Sequence, residues 1–148
     1  MDLNGKHVLD APVEKIWAMI LDPDILAEVT PGISQLVKED GDLYKAIADV
    51  KIGPVKGRFE GSAELLNKIE NESFDLKVQQ NSKIGNVAAN LAMKMKPTED
   101  GKTELSFDGV ADVSGLLART GNRVMNGVAN TLTKQFFSNF EKLLETNN

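Results

Sequence analysis

The chain has 148 residues, a length that suits one domain, residues 1–148, with a core that needs no disulfide or metal to hold it together. It contains no cysteine, so disulfides, thiolate nucleophiles and cysteine-ligated metal or iron–sulfur sites are excluded. The net charge is −5 with acidic and basic residues interspersed, which argues against nucleic acid as a partner and against electrostatic binding to anionic lipid. The N-terminus does not resemble a signal peptide and no apolar run reaches the length of a membrane span, so we expect a soluble, cytoplasmic protein.

The N-terminal part predicts a strand followed by two short helices. Residues 3–9 alternate in polarity and end before Ala11-Pro12, where a proline suits the first turn of a helix. Residues 13–20 then carry apolar side chains at helical spacing. Asp22-Pro23 ends this helix and begins a second one, which stops at the turn formed by residues 30–32. We expect the pair to form a shelf under one end of a sheet.

Residues 33–113 change to a period of two, which indicates strands with one buried face. Turn signals at residues 39–41, 53–54, 67–71, 81–83 and 98–102 divide this part into six strands. The links are short, so each strand should pair with the next in antiparallel fashion. With the N-terminal strand, the sequence predicts a sheet of about seven strands.

The C-terminal part predicts one long amphipathic helix over residues 116–144, with Ser114 as its cap. Its apolar stripe is small near the start and aromatic near the end, where Phe136 and Phe140 lie. The element order therefore indicates an α+β fold in which the helices cover one face of a curved antiparallel sheet.

The side chains predicted to face the helix are unusually small. Three things could fill the resulting space: a helix that lies closer than usual, an empty or hydrated cavity, or an apolar ligand. The ligand pocket is the interpretation that we favour over a collapsed core, although the glycines could instead be kinks that curve the strands. The expected lining residues are Trp17, Tyr44, Ala46, Ala48, Gly61, Ala63, Gln80, Ala89, Gly109, Ala111, Leu117, Gly121, Val124, Met125 and Val128.

No catalytic or metal site is indicated by the sequence. His7 is the only histidine, and the strand residues Asp49, Asp108 and Asp112 alternate onto the face opposite the apolar side chains, where we expect them to be solvated. Arg119 and Arg123, one turn apart near the predicted pocket mouth, could contact a partner protein or a ligand head group, or could simply be solvated. We therefore expect a protein that is not an enzyme and that carries no cofactor.

Several segments have a pattern typical of one family. They are Ala11-Pro12, Trp17, Asp22-Pro23, Pro31-Gly32, residues 50–61 (VKIGPVKGRFEG), residues 115–123 (GLLARTGNR), Val128-Ala129 and residues 135–137 (QFF). In these the chain resembles the CoxG family of carbon monoxide dehydrogenase subunits, within the START and Bet v 1-like (SRPBCC) superfamily.

The resemblance implies a helix-grip fold, in which a curved sheet wraps the C-terminal helix around a hydrophobic pocket. It also implies an accessory protein that works with a molybdenum hydroxylase or another redox enzyme and carries a lipid or quinone-like cargo. The chain ends at Asn148, without the tail that fuller family members have, so we expect membrane contact to be at most peripheral and transient.

Three functions remain open on the sequence. The first is a non-enzymatic protein that binds a hydrophobic small molecule between helix and sheet. The second is an interaction or maturation factor with a collapsed core and no ligand. The third is an enzyme that acts on an apolar substrate, which would require a buried acid or base such as Tyr44 or His7 beside a carboxylate.

Overall fold

The computed structural model describes residues 1–146, which form one antiparallel sheet and four helices. The strands are β1 (Asp2–Leu9), β2 (Ile33–Lys38), β3 (Leu43–Ile52), β4 (Val55–Ile69), β5 (Ser73–Ser82), β6 (Gly85–Pro97) and β7 (Thr103–Val113). The helices are α1 (Val13–Ile20), α2 (Pro23–Val29), α3 (Leu116–Arg119) and α4 (Asn122–Thr146). The predicted strand, two short helices, six strands and C-terminal helix are confirmed.

The sheet has seven strands in the order β1-β7-β6-β5-β4-β3-β2, and every pair is antiparallel. From β2 to β7 neighbours in sequence are neighbours in space, as the short turns require. The N-terminal strand then joins the far edge beside β7. The chain thus forms an open, curved sheet with α4 lying against its concave face, and no helix in residues 1–146 is long and apolar enough to cross a membrane.

Local sequence signals explain the helix boundaries at the N-terminal end. Pro12 precedes α1, and Asp22 caps α2 by accepting a hydrogen bond from the Asp24 amide at 2.9 Å. Asn139 on α4 donates a hydrogen bond to the Val29 carbonyl at 3.0 Å, which fixes the C-terminal half of α4 against the end of α2.

The prediction of one uninterrupted helix over residues 116–144 is wrong at its start. Gly121 has a φ of +93°, a left-handed conformation that no helix residue adopts, and it separates α3 from α4. The Thr120 hydroxyl donates to the Leu117 carbonyl at 2.6 Å and closes the short helix. Ser114 is not the expected cap, because its hydroxyl accepts a hydrogen bond from the Asn86 amide of β6.

Two separate hydrophobic clusters form the core. The lower cluster joins α1, α2 and the C-terminal half of α4 to one end of the sheet, and its fully buried members include Leu9, Ile16 and Phe140. The upper cluster consists of Val55, Phe59, Leu117, Met125 and Val128 and lies where the β3–β4 hairpin and α3 meet the start of α4. Each fully buried large side chain stabilises the fold by about 1.5–3 kcal/mol.

Candidate functional site

The strand register places a row of small side chains across the concave face. Tyr44 pairs with Ala63, Ala63 with Val78, Val78 with Ala89, and Ala89 with Ala111. Antiparallel partners point to the same face of a sheet, so these residues form one continuous row across five strands. The row spans about 19 Å at the usual strand spacing of about 4.8 Å.

This row lies between the two hydrophobic clusters. Ala46, Ala89 and Ala111 are only 7%, 7% and 3% exposed, yet they belong to neither cluster. The same holds for Ala63, Val78 and Leu91, which point to the same face. We call this part of the concave face the central region, defined by Ala46, Ala63, Val78, Ala89, Leu91 and Ala111.

The central region is less well covered than the two ends of the same strands. Ala63, Val78 and Leu91 lie on the inner strands of the sheet and face inward, but each is only half-buried. Leu65 and Phe59, on either side of Ala63 along β4, are both buried. A helix packed tightly along its whole length would bury the middle of the face as well as the ends. The helix therefore seals the two ends and leaves the middle accessible.

Gln80 brings a polar atom to the edge of the central region. It pairs with Gly61 on β4 and Val87 on β6, and its Oε1 atom is buried without a hydrogen-bond partner among residues 1–146. A buried carbonyl oxygen without a partner costs about 1–3 kcal/mol. A bound molecule with a hydroxyl group would satisfy this atom.

The glycines of the sheet have a structural explanation that involves no ligand. A Cβ atom at Gly61 would overlap the carbonyl oxygen of Gln79, and a Cβ at Gly109 would overlap that of Asn90. Only glycine allows the neighbouring strand to approach so closely, so these residues permit the curvature of the sheet. The alternative raised from the sequence, that glycines bend the strands, applies to both.

The predicted lining residues on the helices are divided between the core and the surface. Leu117, Met125 and Val128 are buried in the upper cluster. Gly121 and Val124 are exposed, and no atom lies within 4 Å of a Cβ placed at Gly121. The missing side chain at Gly121 is thus explained by its positive φ and not by space for a ligand.

Two aromatic residues expected in the pocket are fixed in the lower cluster. Trp17 packs edge-to-face on Phe74 with ring centroids 5.9 Å apart. Tyr44 donates a hydrogen bond from its hydroxyl to the Leu21 carbonyl at 3.3 Å. Burial, together with the nearby charge of Asp42, raises the pKa of the Tyr44 hydroxyl. Of the predicted polar ligand contacts, Gln80 is the one whose buried oxygen has no partner within residues 1–146.

The arginine pair lies on either side of the helix break. Arg119 ends α3 and Arg123 begins α4. Both are exposed, and neither forms a salt bridge with another described residue. Leu116, which is 54% exposed, lies in the same short helix, and Val124 is 37% exposed. The junction between α3 and α4 therefore presents apolar and basic side chains to solvent.

His7 has a contact that the sequence did not reveal. Its ring stacks on Phe137 with centroids 4.5 Å apart, and its Nε2 atom is hydrogen-bonded to a carboxylate oxygen of Glu141. Both partners lie on α4, more than a hundred residues away in the chain. Within residues 1–146, no three potential metal-ligating side chains come together. Asp49, Asp108 and Asp112 are exposed, as expected.

A cleft between β1 and α4 was also missed. Its volume is about 570 Å³, and its walls come from β1, Phe107 of β7 and one polar stripe of α4. None of the lining residues expected from the sequence lies in its wall. The signal that could have found it is the spacing of Asn126, Asn130 and Thr133 along one side of the helix beside the apolar stripe.

Comparison with known proteins identifies relatives in sequence and in structure. The sequence profile of the CoxG family of carbon monoxide dehydrogenase subunits matches residues 5–145. A conserved protein from Geobacillus kaustophilus is similar over 99% of this chain and 96% of its own, with 30% sequence identity and a TM-score of 0.94. A search of curated proteins gives no match.

More distant structures share the fold. A START superfamily protein from Mycobacterium smegmatis has a TM-score of 0.76 and 14% identity, and each chain is covered over 99% of its length. Protein Ms6760 from the same organism has a TM-score of 0.75 and 20% identity, over 99% of this chain and 92% of its own. The helix-grip, START-like architecture expected from the sequence is confirmed.

Proposed function

Because this chain belongs to the CoxG family of carbon monoxide dehydrogenase subunits, we propose that it is a CoxG-like accessory protein that holds an apolar small molecule between its sheet and α4. The observation that carries the proposal is the central region. Buried alanines that pack in neither hydrophobic cluster, beside half-buried inward-facing Ala63 and Val78, are what a sheet presents when a ligand completes its core.

The proposed ligand is a neutral, largely apolar molecule with at least one hydroxyl group. Its apolar part would cover the row from Ala63 to Ala111, and its hydroxyl would donate to Oε1 of Gln80. A neutral lipid with a hydroxyl group fits this description. A quinone-like molecule fits it in its reduced form, which carries hydroxyl groups as donors.

The proposed role is carriage without turnover. The hydroxyl of Tyr44 is bonded to a backbone carbonyl, and His7 and Glu141 bond to each other at the β1–α4 cleft, away from the central region. No acid or base is therefore placed against the region that would hold the apolar molecule. We assign the protein to the cytoplasm on the same proposal, with at most transient membrane contact.

The proposed partner is a molybdenum hydroxylase or another redox enzyme, as the family name suggests. The surface proposed for this contact is the α3–α4 junction, where Leu116 and Val124 are exposed beside Arg119 and Arg123. Exposed apolar side chains next to arginines are typical of protein interfaces. A pure interaction factor without ligand is the second candidate, and this same surface favours it.

Ligand binding is tested by filling the central region. Ala63→Phe adds a large side chain on the inward face, while Ala92→Phe, on an exposed position of β6, is the matched control. A neutral fluorescent probe such as N-phenyl-1-naphthylamine should bind to wild type and control with equal affinity and to Ala63→Phe at least about ten-fold more weakly. Equal binding to all three folded proteins would place the ligand elsewhere.

The second candidate is tested with the purified hydroxylase of the same organism. Arg119→Glu combined with Arg123→Glu should weaken binding to the enzyme, whereas Lys142→Glu, an exposed position at the other end of α4, should not. Loss of enzyme binding in a protein that never binds the apolar probe would support an interaction factor with no ligand.

A further inference from the structure

The cleft between β1 and α4 opens onto the concave face of the sheet. Leu3 and Gly5 form its sheet side, and Ala129, Asn130 and Thr133 form part of its helix side. The helix side chains are short, so they do not reach across to the strand. The cleft has a volume of about 570 Å³, enough to admit a small molecule.

Its floor continues into the central region. Leu3 pairs with Gly109, and Gly109 pairs with Leu91, so the cleft and the central region share one row of the sheet. The next row contains Gly5, which pairs with Phe107. A molecule that slides along the first row passes from solvent to Leu91 without crossing a strand.

The end of the barrel-like sheet near α3 is closed by backbone hydrogen bonds. The amide of Leu117 donates to the Ile84 carbonyl at 2.9 Å, and that of Ser114 donates to the Asn86 carbonyl at 3.0 Å. Gly85 and Gly115 pack backbone to backbone beside them, leaving no room for a side chain. This end is sealed.

The remaining sides of α4 are closed by packing. Val55 of the β3–β4 hairpin lies in the same buried cluster as Met125 and Val128. Asn139 holds the other half of the helix against α2. The lower cluster, with the fully buried Phe140, fills the end of the sheet above α1 and α2.

The side facing β1 is tied only at one point. Within residues 1–146, the hydrogen bonds between β1 and α4 are confined to the His7–Glu141 pair, which the stacking of His7 on Phe137 reinforces. Towards the start of α4 the helix offers Asn126 and Asn130, both exposed. The helix is thus joined to the strand near its C-terminal half and is separated from it near the other.

We propose that this cleft is the route by which the apolar ligand enters and leaves the central region. The proposal rests on the ligand binding proposed above. Phe107 is the gate, because its ring lies across Gly5, where an added Cβ would come within 2.8 Å of the ring tip. Rotation of this half-buried side chain opens the way from the cleft to Leu91, and its return covers the bound molecule.

The route is tested by plugging the cleft from the helix. Ala129→Trp and Asn130→Trp each place a large ring in the cleft, and Asn130 is exposed, so its substitution leaves the core intact. Gln135→Trp, at an exposed position of α4 that does not line the cleft, is the control. Association and dissociation of N-phenyl-1-naphthylamine are followed by stopped-flow fluorescence, with far-ultraviolet circular dichroism to verify folding.

Both plugged variants should slow association and dissociation by about ten-fold or more while the equilibrium Kd stays within about three-fold, because a plug raises the barrier without changing the bound state. Phe107→Ala should accelerate both rates. Unchanged rates in both plugged variants, with wild type still binding, would overturn the route and leave the proposed function standing. A weaker Kd with unchanged association would make the cleft part of the binding site and also overturn it. No probe binding to wild type would remove both proposals.

Discussion

The substitution Gln80→Met tests the polar edge of the central region. Methionine is close to glutamine in length and shape but has no carbonyl oxygen, so it removes the buried Oε1 atom that has no partner within residues 1–146. In protein stripped of ligand, the wild type bears the cost of that atom. We therefore expect Gln80→Met to be more stable than wild type, against the usual direction for a substitution near a core.

The magnitude follows from the cost of an unpaired buried carbonyl. That cost is about 1–3 kcal/mol, so a gain of about 1 kcal/mol is expected after the loss of the exposed part of the amide is included. For a chain of this size, 1 kcal/mol corresponds to about 2–4 °C in Tm. The assay is thermal and urea unfolding of protein that has been denatured, extracted and refolded.

Gln79→Met is the matched control. Gln79 is the preceding residue of β5, is exposed, and points to the opposite face, where it donates a hydrogen bond to Asn81 at 3.2 Å. Its substitution should change the free energy of unfolding by less than about 0.5 kcal/mol. Destabilisation by Gln80→Met beyond that of the control would refute the reasoning, since it would mean that the Gln80 amide is already satisfied.

Ligand selectivity gives a second reading of the same variant. Wild type should bind 1-dodecanol more tightly than dodecane by about five-fold beyond their difference in solubility, the equivalent of one net hydrogen bond of about 1 kcal/mol. Gln80→Met should lose this preference and bind both alike. Retention of the preference would show that the hydroxyl is bound by another group.

The remaining predictions concern the framework that holds the site. Thr103→Val should lower the free energy of unfolding by about 1–3 kcal/mol in urea titrations, because the fully buried hydroxyl donates to the Ala11 carbonyl at 2.8 Å, and Thr103→Ser should recover most of the loss. Gly127→Ala, at an exposed helix position with no neighbour within 4 Å, should stabilise the protein by about 0.5–1 kcal/mol, whereas Gly61→Ala should prevent folding or cost more than about 3 kcal/mol, as circular dichroism melts will show. The raised pKa of Tyr44 contributes stability that is present below the ordinary value of 10.0 and is lost as the pH rises through the folded-state pKa, so Tyr44→Phe should lose less stability than wild type between neutral and strongly alkaline pH.

Much of the fold could be predicted because strand and turn signals are local. Alternation of polarity located the strands, and turn residues such as Gly53 and Asn71 marked their ends. The break before α4 could not be predicted in this way, since Gly121 lies in register with the apolar stripe and only its positive φ reveals it. Periodicity reports which face a residue occupies and carries no information about backbone handedness.

The candidate site was predicted in part. The inward-facing alanines follow from alternation alone, and the register places Ala89 and Ala111 side by side as expected. The reason for Gly61 depends on the carbonyl of a neighbouring strand, which no single-strand pattern contains. The cleft beside β1 depends on a contact between His7 and Glu141, residues at opposite ends of the chain, and was missed for that reason.

The central claim is that an apolar molecule completes the core between the sheet and α4. Native mass spectrometry of the protein purified without detergent, followed by organic extraction of the same sample, tests it most directly. The account predicts a bound neutral molecule, one per chain, that is present in wild type and in Ala92→Phe and is lost in Ala63→Phe. A wild-type protein that is always empty and that binds no added apolar molecule would contradict it.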